Sequence, residues 1–425
     1  MSKLIEFPKF VLTALRYSLT GGRYFYLWLT FLCGLFVWGV TAYVEQLSNG
    51  LIVTAMRDQV SWGFYIGNFT FLVGVAAAAI IVVIPAYVYN WKPIKEVVIL
   101  GEILAISALV MCMIFVLADM GRPDRVWHLI PRIGRLNWPS SLLAWDVVVL
   151  NLYFAINIAI VLYVLFKTYH GRPINHKFFV PLVLISIPVA ISIHTVTAFI
   201  YNGLASRPFW NASILAPRFI ASAFCSGPAI LLILFQILQR TTKIEIKDEA
   251  IWKVAELMAY AMFINLFLLG AEVFKEVYSA TEHRVHFDYL FVGVHGHNAL
   301  VPYGWSAVAC SVAAFLLFLI PATRRNPITL NIGCLLIYSG VYIEKGMGLI
   351  IPGMTPDTLG EIYAYVPTMT EVRVGAGAFA TGFIVYTLMT KVAVGILTGN
   401  LRRGAAGAGP GAAAMGVQPP GSLPA

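Results

Sequence analysis

Charged side chains are scarce in this sequence, and their scarcity excludes most classes of protein. Only 12% of the 425 residues are Asp, Glu, Lys or Arg, while 59% are apolar, whereas a water-soluble domain carries roughly 25% charged residues. The mean hydropathy of +0.80 is likewise too high for a soluble domain. The composition therefore predicts an integral membrane protein that crosses the bilayer several times.

Clustered cysteines are missing as well. The five cysteines lie far apart, each in or beside an apolar run, and no two of them form a Cys-x-x-Cys pair. Iron–sulfur clusters, zinc sites and c-type haem need grouped thiolates. We therefore expect no such centre in this chain and expect the thiols to pack among apolar side chains. The five are Cys33, Cys112, Cys225, Cys310 and Cys334.

Histidines are nearly absent from the apolar runs. Only His194 lies well inside one, whereas a haem b held by two imidazoles needs two histidines at matching depth. We therefore expect no haem. Four others lie in the loop from Lys275 to Tyr303, which we interpret as solvated or partner-facing, because a metal site also needs ordered ligands and a second shell. These four are His283, His286, His295 and His297.

Long apolar runs are abundant. A hydrocarbon core about 30 Å thick needs roughly 20 apolar residues per helical span, and ten runs approach or exceed that length. They predict an all-α protein with about ten transmembrane helices. The runs are Tyr24–Val44, Trp62–Tyr89, Val97–Leu117, Leu142–Phe166, Phe178–Tyr201, Ile214–Leu238, Ile251–Phe274, Trp305–Leu319, Ile328–Ile343 and Val374–Leu397.

The distribution of Lys and Arg predicts the orientation. With the N-terminus inside, 18 of the 29 basic residues fall on inner segments, as the positive-inside rule requires. Both termini are then cytoplasmic, and anionic lipid rather than nucleic acid accounts for the net charge of +9. The chain divides into a cytoplasmic segment (1–23), a transmembrane domain (24–403) and a Gly/Ala/Pro-rich tail (404–425) that we expect to be disordered.

One outer loop departs from that rule. Asp119-Met-Gly-Arg-Pro-Asp-Arg-Val-Trp-His128 is followed by Arg132 and Arg135, and the next run begins near Trp145-Asp146. Four arginines therefore lie on the side that should carry few. This concentration of charge predicts a polar site near the outer surface.

Ionisable residues inside the runs are the second functional signal, because each one costs a few kcal/mol at the bilayer centre. Glu102, Asp146 and His194 lie inside spans, and Glu272 lies one turn from Lys275, with which it could pair. Glu344-Lys345 falls at the outer end of the ninth run. We interpret Glu102, Asp146, His194 and Glu272 as a proton pathway, with ordinary structural hydrogen bonds and ion pairs as the alternative.

The second run opens with Trp62-Gly-Phe-Tyr-Ile-Gly-Asn68, which brings aromatic rings and an amide to the level of the arginine-rich loop. An interfacial aromatic belt would explain the rings. A quinone, however, needs apolar walls and one or two donors at its carbonyl oxygens, and small glycines would let a flat ligand approach. Tyr65 and Asn68 are therefore candidate quinone contacts.

These segments resemble the NrfD-like membrane subunits, which include the polysulfide reductase membrane subunit and DsrP-like chains. The likeness covers Trp62 to Gly74, Asp119 to His128, Ser141 to Asp146, and Arg207-Pro-Phe-Trp210 through Gly227, and it extends over most of residues 20–400. It is strongest to DsrP-like sequences, which have ten spans rather than eight.

The resemblance implies two four-helix bundles plus extra helices in the cell inner membrane. It implies that the chain binds no haem, iron–sulfur cluster or metal of its own and exchanges electrons between menaquinone and an outer-face iron–sulfur subunit. For a DsrP-like chain it further implies a multihaem cytochrome c, a haem b membrane subunit and a cytoplasmic iron–sulfur subunit, in dissimilatory sulfur metabolism. Proton translocation would be an additional activity.

The same resemblance assigns roles within this sequence. Tyr65, Asn68, Arg122 and His128 match the family's quinone-binding segments, and Asp119, His128 and Asp146 are the candidate catalytic groups. His128 or Asn68 would hydrogen-bond a quinone carbonyl, while Asp119 or Asp146 would take the quinol proton. Arg122 could instead pair with Asp119 and fix the loop.

Two other functions remain open from sequence. A secondary transporter or ion channel also uses charges within the membrane, although such proteins often show paired broken helices, and the second and sixth runs are only faintly alike. A structural membrane anchor for redox subunits, without any quinone site, fits the lack of cofactor motifs equally well.

Overall fold

Ten apolar helices long enough to cross a membrane form the protein, which we describe from a computed structural model of residues 2–95, 97–130, 132–279 and 284–402. The prediction of an all-α membrane protein with ten spans is confirmed. The predicted tail, residues 404–425, lies outside the described residues. Spans 1 to 10 are Arg23–Asn49, Phe64–Val88, Val98–Asp119, Leu142–Tyr169, His176–Asn202, Leu215–Thr241, Asp248–Ser279, Val301–Leu319, Pro327–Met354 and Met369–Leu397.

Short helices connect and flank the spans. An amphipathic helix precedes span 1, and single turns lie in the loops where proline or glycine prevents a longer helix. The eighth and ninth spans are separate, as expected, with a five-residue helix carrying Arg324 and Arg325 between them. The short helices are Ser2–Ser18, Leu51–Val53, Lys92–Lys95, Pro123–Leu129, Pro208–Trp210, Arg284–Phe291 and Pro321–Arg325.

The spans are arranged as two four-helix bundles and an additional pair. Spans 2 to 5 pack as one bundle, spans 6 to 9 as the other, and span 2 contacts span 6 where the bundles meet. Spans 1 and 10 pack on each other, and span 10 lies against span 3. Spans 2 and 3 are central: 78% and 83% of their most apolar windows are buried, against 17% for span 1.

The two ends of the bundles differ in composition. We call the end where the odd-numbered spans begin the basic face, because it carries Lys92, Lys95, Arg324 and Arg325. The opposite end, where span 3 ends at Asp119, is the motif face. With ten spans both termini belong to the basic face, and their cytoplasmic placement stays a prediction.

Two long helices are interrupted within the membrane. Span 2 ends in a π-helical turn, Ile84–Val88, where Pro85 provides no backbone N–H. Span 9 breaks at Gly346, between the helical segments Pro327–Lys345 and Met347–Met354. Glu344 and Lys345 therefore lie inside the membrane segment. The prediction that they mark the outer end of that span was wrong, because the helix resumes beyond the glycine.

Spans 1 and 10 pack closely where a glycine of one meets a glycine of the other, and a substitution can test this packing. A Cβ on Gly39 would lie 2.5 Å from Cα of Gly377, whereas a Cβ on Gly34 of the same helix would have no atom within 4 Å. We predict that Gly39→Val destabilises the protein by about 1–3 kcal/mol through overpacking. Thermal unfolding in detergent measures it, with Gly34→Val as the matched control. Equal melting temperatures for the two variants would contradict this packing.

Candidate functional site

The partly buried carboxylate of Asp119 lies at the motif-face end of span 3. The helix ends there because Met120 is already extended, and Pro123 then keeps Arg122 out of the helical region. In the part of the chain that the structure describes, Oδ1 of Asp119 is buried and accepts no hydrogen bond. A buried acceptor without a donor is costly, so this oxygen is available to a proton or a ligand.

Tyr65 is joined to the same helix end through a side chain that the sequence did not suggest. The fully buried Tyr65 hydroxyl donates to Oε1 of Gln46 at 2.6 Å, and Nε2 of Gln46 donates to the carbonyl of Ala118 at 2.7 Å. Tyr65 lies within electrostatic range of Asp119 and Glu371. The predicted residues Tyr65 and Asp119 therefore belong to one cluster, which Gln46 of span 1 holds together.

Glu371 is the second carboxylate of this cluster, and its oxygens are fully used. It accepts from the backbone N–H groups of Ala55 and Thr368 at 2.9 and 2.8 Å and from the hydroxyl of Tyr365. Burial, and after it the Glu371 charge, raise the pKa of Tyr365 above its usual range, so this hydroxyl stays protonated and donates. Glu371 is thus a structural acceptor, in contrast to Asp119.

A third carboxylate, that of Asp146, faces the interior of the first bundle. Oδ1 of Asp146, on span 4, accepts from the Thr197 hydroxyl at 2.8 Å. Tyr201 hydrogen-bonds to Thr70 and lies within electrostatic range of both Asp146 and Asp119. Thr197 and Tyr201 were not predicted from the sequence. They follow His194 on span 5, and no local pattern distinguishes them from other residues of that span.

The predicted loop residues lie apart from these buried groups. Arg122 forms a two-bond ion pair with Asp124, both bonds 3.0 Å long, so the alternative pair with Asp119 does not form. The hydrogen bond from Arg122 lowers the pKa of Asp124. His128 is exposed and stacks on Trp127, with ring centroids 3.8 Å apart. Arg122 and His128 thus belong to the surface, because the loop turns outward after Met120.

Asn68 faces the second bundle. Its Nδ2 donates to the carbonyl of Phe64 at 2.7 Å, and its Oδ1 accepts from the Tyr342 hydroxyl of span 9 at 2.9 Å. A Cβ on the nearby Gly67 would meet Met347, and one on Gly74 would meet Lys345. The glycine face of span 2, which from sequence alone could have accepted a flat ligand, is therefore occupied by span 9.

A buried ion-pair network lies in the second bundle. Arg218 of span 6 binds Glu272 of span 7 and, at 2.6 Å, Glu344 of span 9. Asn265 donates to the free oxygen of Glu344 at 3.2 Å. The expected Glu272–Lys275 pair was wrong, because Lys275 pairs with Glu276 at 3.2 Å. Sequence spacing could not identify Arg218 as the partner, since the paired residues are 54 and 126 positions away.

Lys345 is also buried, beside the break in span 9. Its Nζ donates to the carbonyl of Phe219 at 2.8 Å and lies 4.2 Å from the centre of the Phe219 ring. A cavity of about 40 Å³ reaches Arg218, Glu272 and Glu344 from the motif side, enough for a few waters at most. The network is thus a polar centre rather than a ligand chamber.

The predicted proton pathway is not a continuous hydrogen-bonded chain. Within the described ranges, both oxygens of Glu102 and Nε2 of His194 are buried without partners. Glu102 interacts electrostatically with Tyr87 and Tyr153. No hydrogen bond between described residues links Glu102, Asp146, His194 and Glu272, and their role as a pathway stays a prediction.

The loop between spans 7 and 8 carries the clustered histidines, of which His286, His295 and His297 are among the described residues. Nδ1 of His286 is hydrogen-bonded to the carbonyl of Pro352 at 2.8 Å, and the imidazole is buried. No group of three or more His, Cys, Asp or Glu side chains arranged for a metal occurs in residues 2–95, 97–130, 132–279 and 284–402. His283 falls outside those residues.

Comparison with known proteins identifies similar chains. The family model described as "Polysulphide reductase, NrfD" matches residues 52–357. A putative dimethyl sulfoxide reductase membrane subunit of Halobacterium salinarum is 25% identical over 84% of this chain and 88% of its own. An Hdr-like menaquinol oxidoreductase integral membrane subunit of Archaeoglobus fulgidus is 24% identical over 83% and 89%.

A third relative comes from another organism. The integral membrane subunit of a menaquinone reductase of Nitratidesulfovibrio vulgaris is 21% identical over 82% of this chain and 86% of its own. All three similarities cover most of both chains, so the likeness includes the two bundles and is not confined to one motif.

The Arg218 network generates a stability prediction. Arg218→Met should destabilise the protein by about 3–5 kcal/mol, because it leaves two carboxylates buried without their cation. Adding Glu272→Gln and Glu344→Gln should restore much of the loss, since neutral amides need no counter-charge. Arg122→Met is the control: both members of its ion pair with Asp124 are more than half exposed, and the loss of that pair should cost about 1 kcal/mol or less.

Chemical and thermal unfolding in detergent measure both effects. Equal melting temperatures for Arg218→Met and Arg122→Met would refute the network's structural role, as would a triple variant no more stable than Arg218→Met.

Proposed function

This chain belongs to the polysulphide reductase NrfD family, and we propose that it is the quinone-reactive membrane subunit of a redox complex. The support is that similar chains are membrane subunits of a menaquinol oxidoreductase and of a menaquinone reductase. Because those two names describe opposite directions of electron flow, the proposal covers exchange between menaquinol and menaquinone in either direction.

The buried, unbonded oxygen of Asp119 is the observation that carries this proposal. A quinol hydroxyl needs a proton acceptor inside an apolar wall. Asp119 offers a free Oδ1 among the described residues, with Tyr65 and Phe115 packed beside each other as aromatic wall. Glu371, by comparison, has its acceptors taken by three donors. The residues present thus fit a quinone head group at this end of span 3.

Each group has a distinct role in the proposed reaction. Oxidation of menaquinol releases two protons and two electrons. Asp119 accepts a proton at Oδ1, Asp146 serves as the second carboxylate deeper in the bundle, and Gln46 keeps Tyr65 in position through its 2.6 Å hydrogen bond. In this proposal Asn68, which Tyr342 fixes on the side of span 2 covered by span 9, joins the two bundles and does not reach the quinone. Glu102 continues the proposed route for protons toward the basic face.

The electrons need an acceptor outside this chain, because its cysteines are too scattered to hold a cluster. We assign that role to an iron–sulfur subunit docked on the loop at the motif face. Exposed cations there alternate with exposed apolar side chains, as in protein interfaces; Trp127 is 46% and Ile133 68% exposed. Arg122 and His128 are part of this docking surface in the proposal rather than of a closed quinone pocket.

The orientation in the membrane and the remaining partners are proposed from the family resemblance and from the positive-inside bias. The motif face is taken as the outer side of the cell inner membrane, in agreement with the positive-inside bias. The other proposed members of the complex, which acts in dissimilatory sulfur metabolism, are a multihaem cytochrome c, a haem b membrane subunit and a cytoplasmic iron–sulfur subunit.

Asp119→Asn tests the quinone reaction. The substitution preserves size but removes the proton acceptor, and turnover of a menaquinol analogue by the purified complex should fall about 100-fold or more. Asp124→Asn, a carboxylate five residues away that is exposed and paired with Arg122, should stay within about twofold, since surface ion pairs contribute little.

Melting temperature and subunit stoichiometry serve as folding controls. Full activity of Asp119→Asn in an intact complex would contradict the assignment. It would leave a structural anchor for redox subunits as the better description.

Charge reversal tests the docking surface. Arg125 and Arg132 are exposed and form no ion pair among the described residues. Arg125→Glu with Arg132→Glu should weaken co-purification of the iron–sulfur subunit about tenfold or more, because like charges at an interface repel. The matched control, Arg240→Glu with Lys243→Glu on the basic face, should retain that subunit. Equal recovery with both pairs would exclude docking at this loop.

A further inference from the structure

A large apolar groove extends from the basic face, where Trp91 and Lys253 line it, to Pro217 in the motif-side half of span 6. It has a volume of about 870 Å³ and runs between the second half of span 2 and spans 6 and 7. Ile84, Pro85 and Tyr89 line one wall, Phe224 and Leu257 the other. The π-helical turn at Ile84–Val88 interrupts the regular helix at the end of span 2. A helix interrupted in this way packs less closely on its neighbour, here span 7, and leaves the groove open.

Along span 7, the groove covers about the depth of one leaflet of a membrane. Its lining on span 7 extends from Lys253 to Ile264, eleven residues further along the helix. At about 1.5 Å per residue this corresponds to about 16 Å, close to half of a hydrocarbon core of about 30 Å. A chain held there would reach from the basic face to about the middle of the bilayer.

A second, polar cavity adjoins the groove at the basic face. It has a volume of about 340 Å³ and shares Trp91 and Lys253 with the groove, so the two spaces are continuous. Its remaining lining consists of charged residues and one more tryptophan, an arrangement typical of the membrane–water interface. These residues are Glu249, Trp252, Glu256, Arg324 and Arg325.

The charges of this cavity leave one cation uncommitted. Glu256 is held by Lys253 at 3.4 Å, by Arg324 at 3.5 Å and by the hydroxyl of Tyr260 at 2.8 Å. The Arg325 guanidinium lies over the Trp252 ring, 5.4 Å from its centre. Across the described ranges Arg325 makes no ion pair with a carboxylate, and three cations face two carboxylates in this cavity. The mouth of the groove therefore attracts an anion.

We propose that the groove and its basic mouth bind one anionic phospholipid from the leaflet at the basic face. The phosphate lies between Arg325 and Lys253, and one acyl chain follows the groove toward Ile264. A phospholipid has an apolar tail that fits the groove and a phosphate that fits the basic cavity, and the two are joined at the depth of the membrane interface. An isoprenoid quinone has no charged group and would leave Arg325 unmatched. Basic pockets between spans on the cytoplasmic side are suited to such head groups.

Retention of lipid during purification tests the head-group contacts. The complex is purified with its subunits in mild detergent, and bound phospholipid is identified by native mass spectrometry after extensive washing. Wild type should retain about one anionic phospholipid at this site. Lys253→Gln with Arg325→Gln should weaken its binding about thirtyfold, as expected for two interfacial cations. The control is Arg240→Gln with Lys243→Gln, cations of the same face outside the cavity, which should retain it.

A second variant tests the groove independently of charge. Ala261 lines the groove, whereas Phe263 of the same span is 58% exposed and does not line it. Ala261→Phe should reduce the retained phospholipid about tenfold, because the added ring fills space in which acyl methylenes would be buried, and Phe263→Trp should not. Melting temperatures in uncharged lipid confirm that all variants are folded.

Three results would overturn the proposal: equal retention by both glutamine pairs, retention of zwitterionic phospholipid in equal amount, or a quinone as the retained molecule. Loss of quinol turnover in Asp119→Asn would bear on the proposed function alone, because that residue lies at the other face.

Discussion

The cost of burying a polar group without a partner in a membrane protein governs this structure. Hydrocarbon offers no hydrogen bonds, so side chains that could have bonded to water must find partners on other spans. Gln46, Asn68 and Arg218 each link two or three helices for this reason. Among the described groups that stay unbonded, Oδ1 of Asp119 and both oxygens of Glu102 are carboxylate oxygens with capacity for a proton.

The junction of the two bundles fixes where chemistry can occur. Span 9 lies along the glycines of span 2. The Asn68–Tyr342 hydrogen bond joins the two bundles near the break at Gly346, where buried Lys345 packs beside Gly74. This contact closes one side of span 2. The other side faces spans 1 and 3, where Tyr65, Gln46 and Asp119 meet. The proposed quinone site lies at the motif face, whereas the phosphate of the proposed lipid lies at the basic face, so most of the thickness of the membrane separates these two.

Local sequence patterns predicted the spans well and the partners poorly. Ten apolar runs of about the right length gave ten helices, because hydrocarbon thickness sets helix length. The continuation of span 9 beyond Gly346 was missed, since Glu344, Lys345, Gly346 and Gly348 end the apolar run in the sequence. Arg218 was missed as the partner of Glu272, and Gln46 as the partner of Tyr65, because these contacts join residues on different spans. Asp119 was found because it begins a charged loop, yet its separation from Arg122 depended on how that loop turns.

The central claim is that quinone binds beside Tyr65 and Asp119, and photolabelling tests it most directly. A photoreactive menaquinone analogue is cross-linked to the purified complex, and labelled peptides are located by mass spectrometry. The account predicts label in residues 64–68 and 115–119, competed away by excess menaquinone. Competable label confined to the groove segments 217–224 and 257–264 would contradict it.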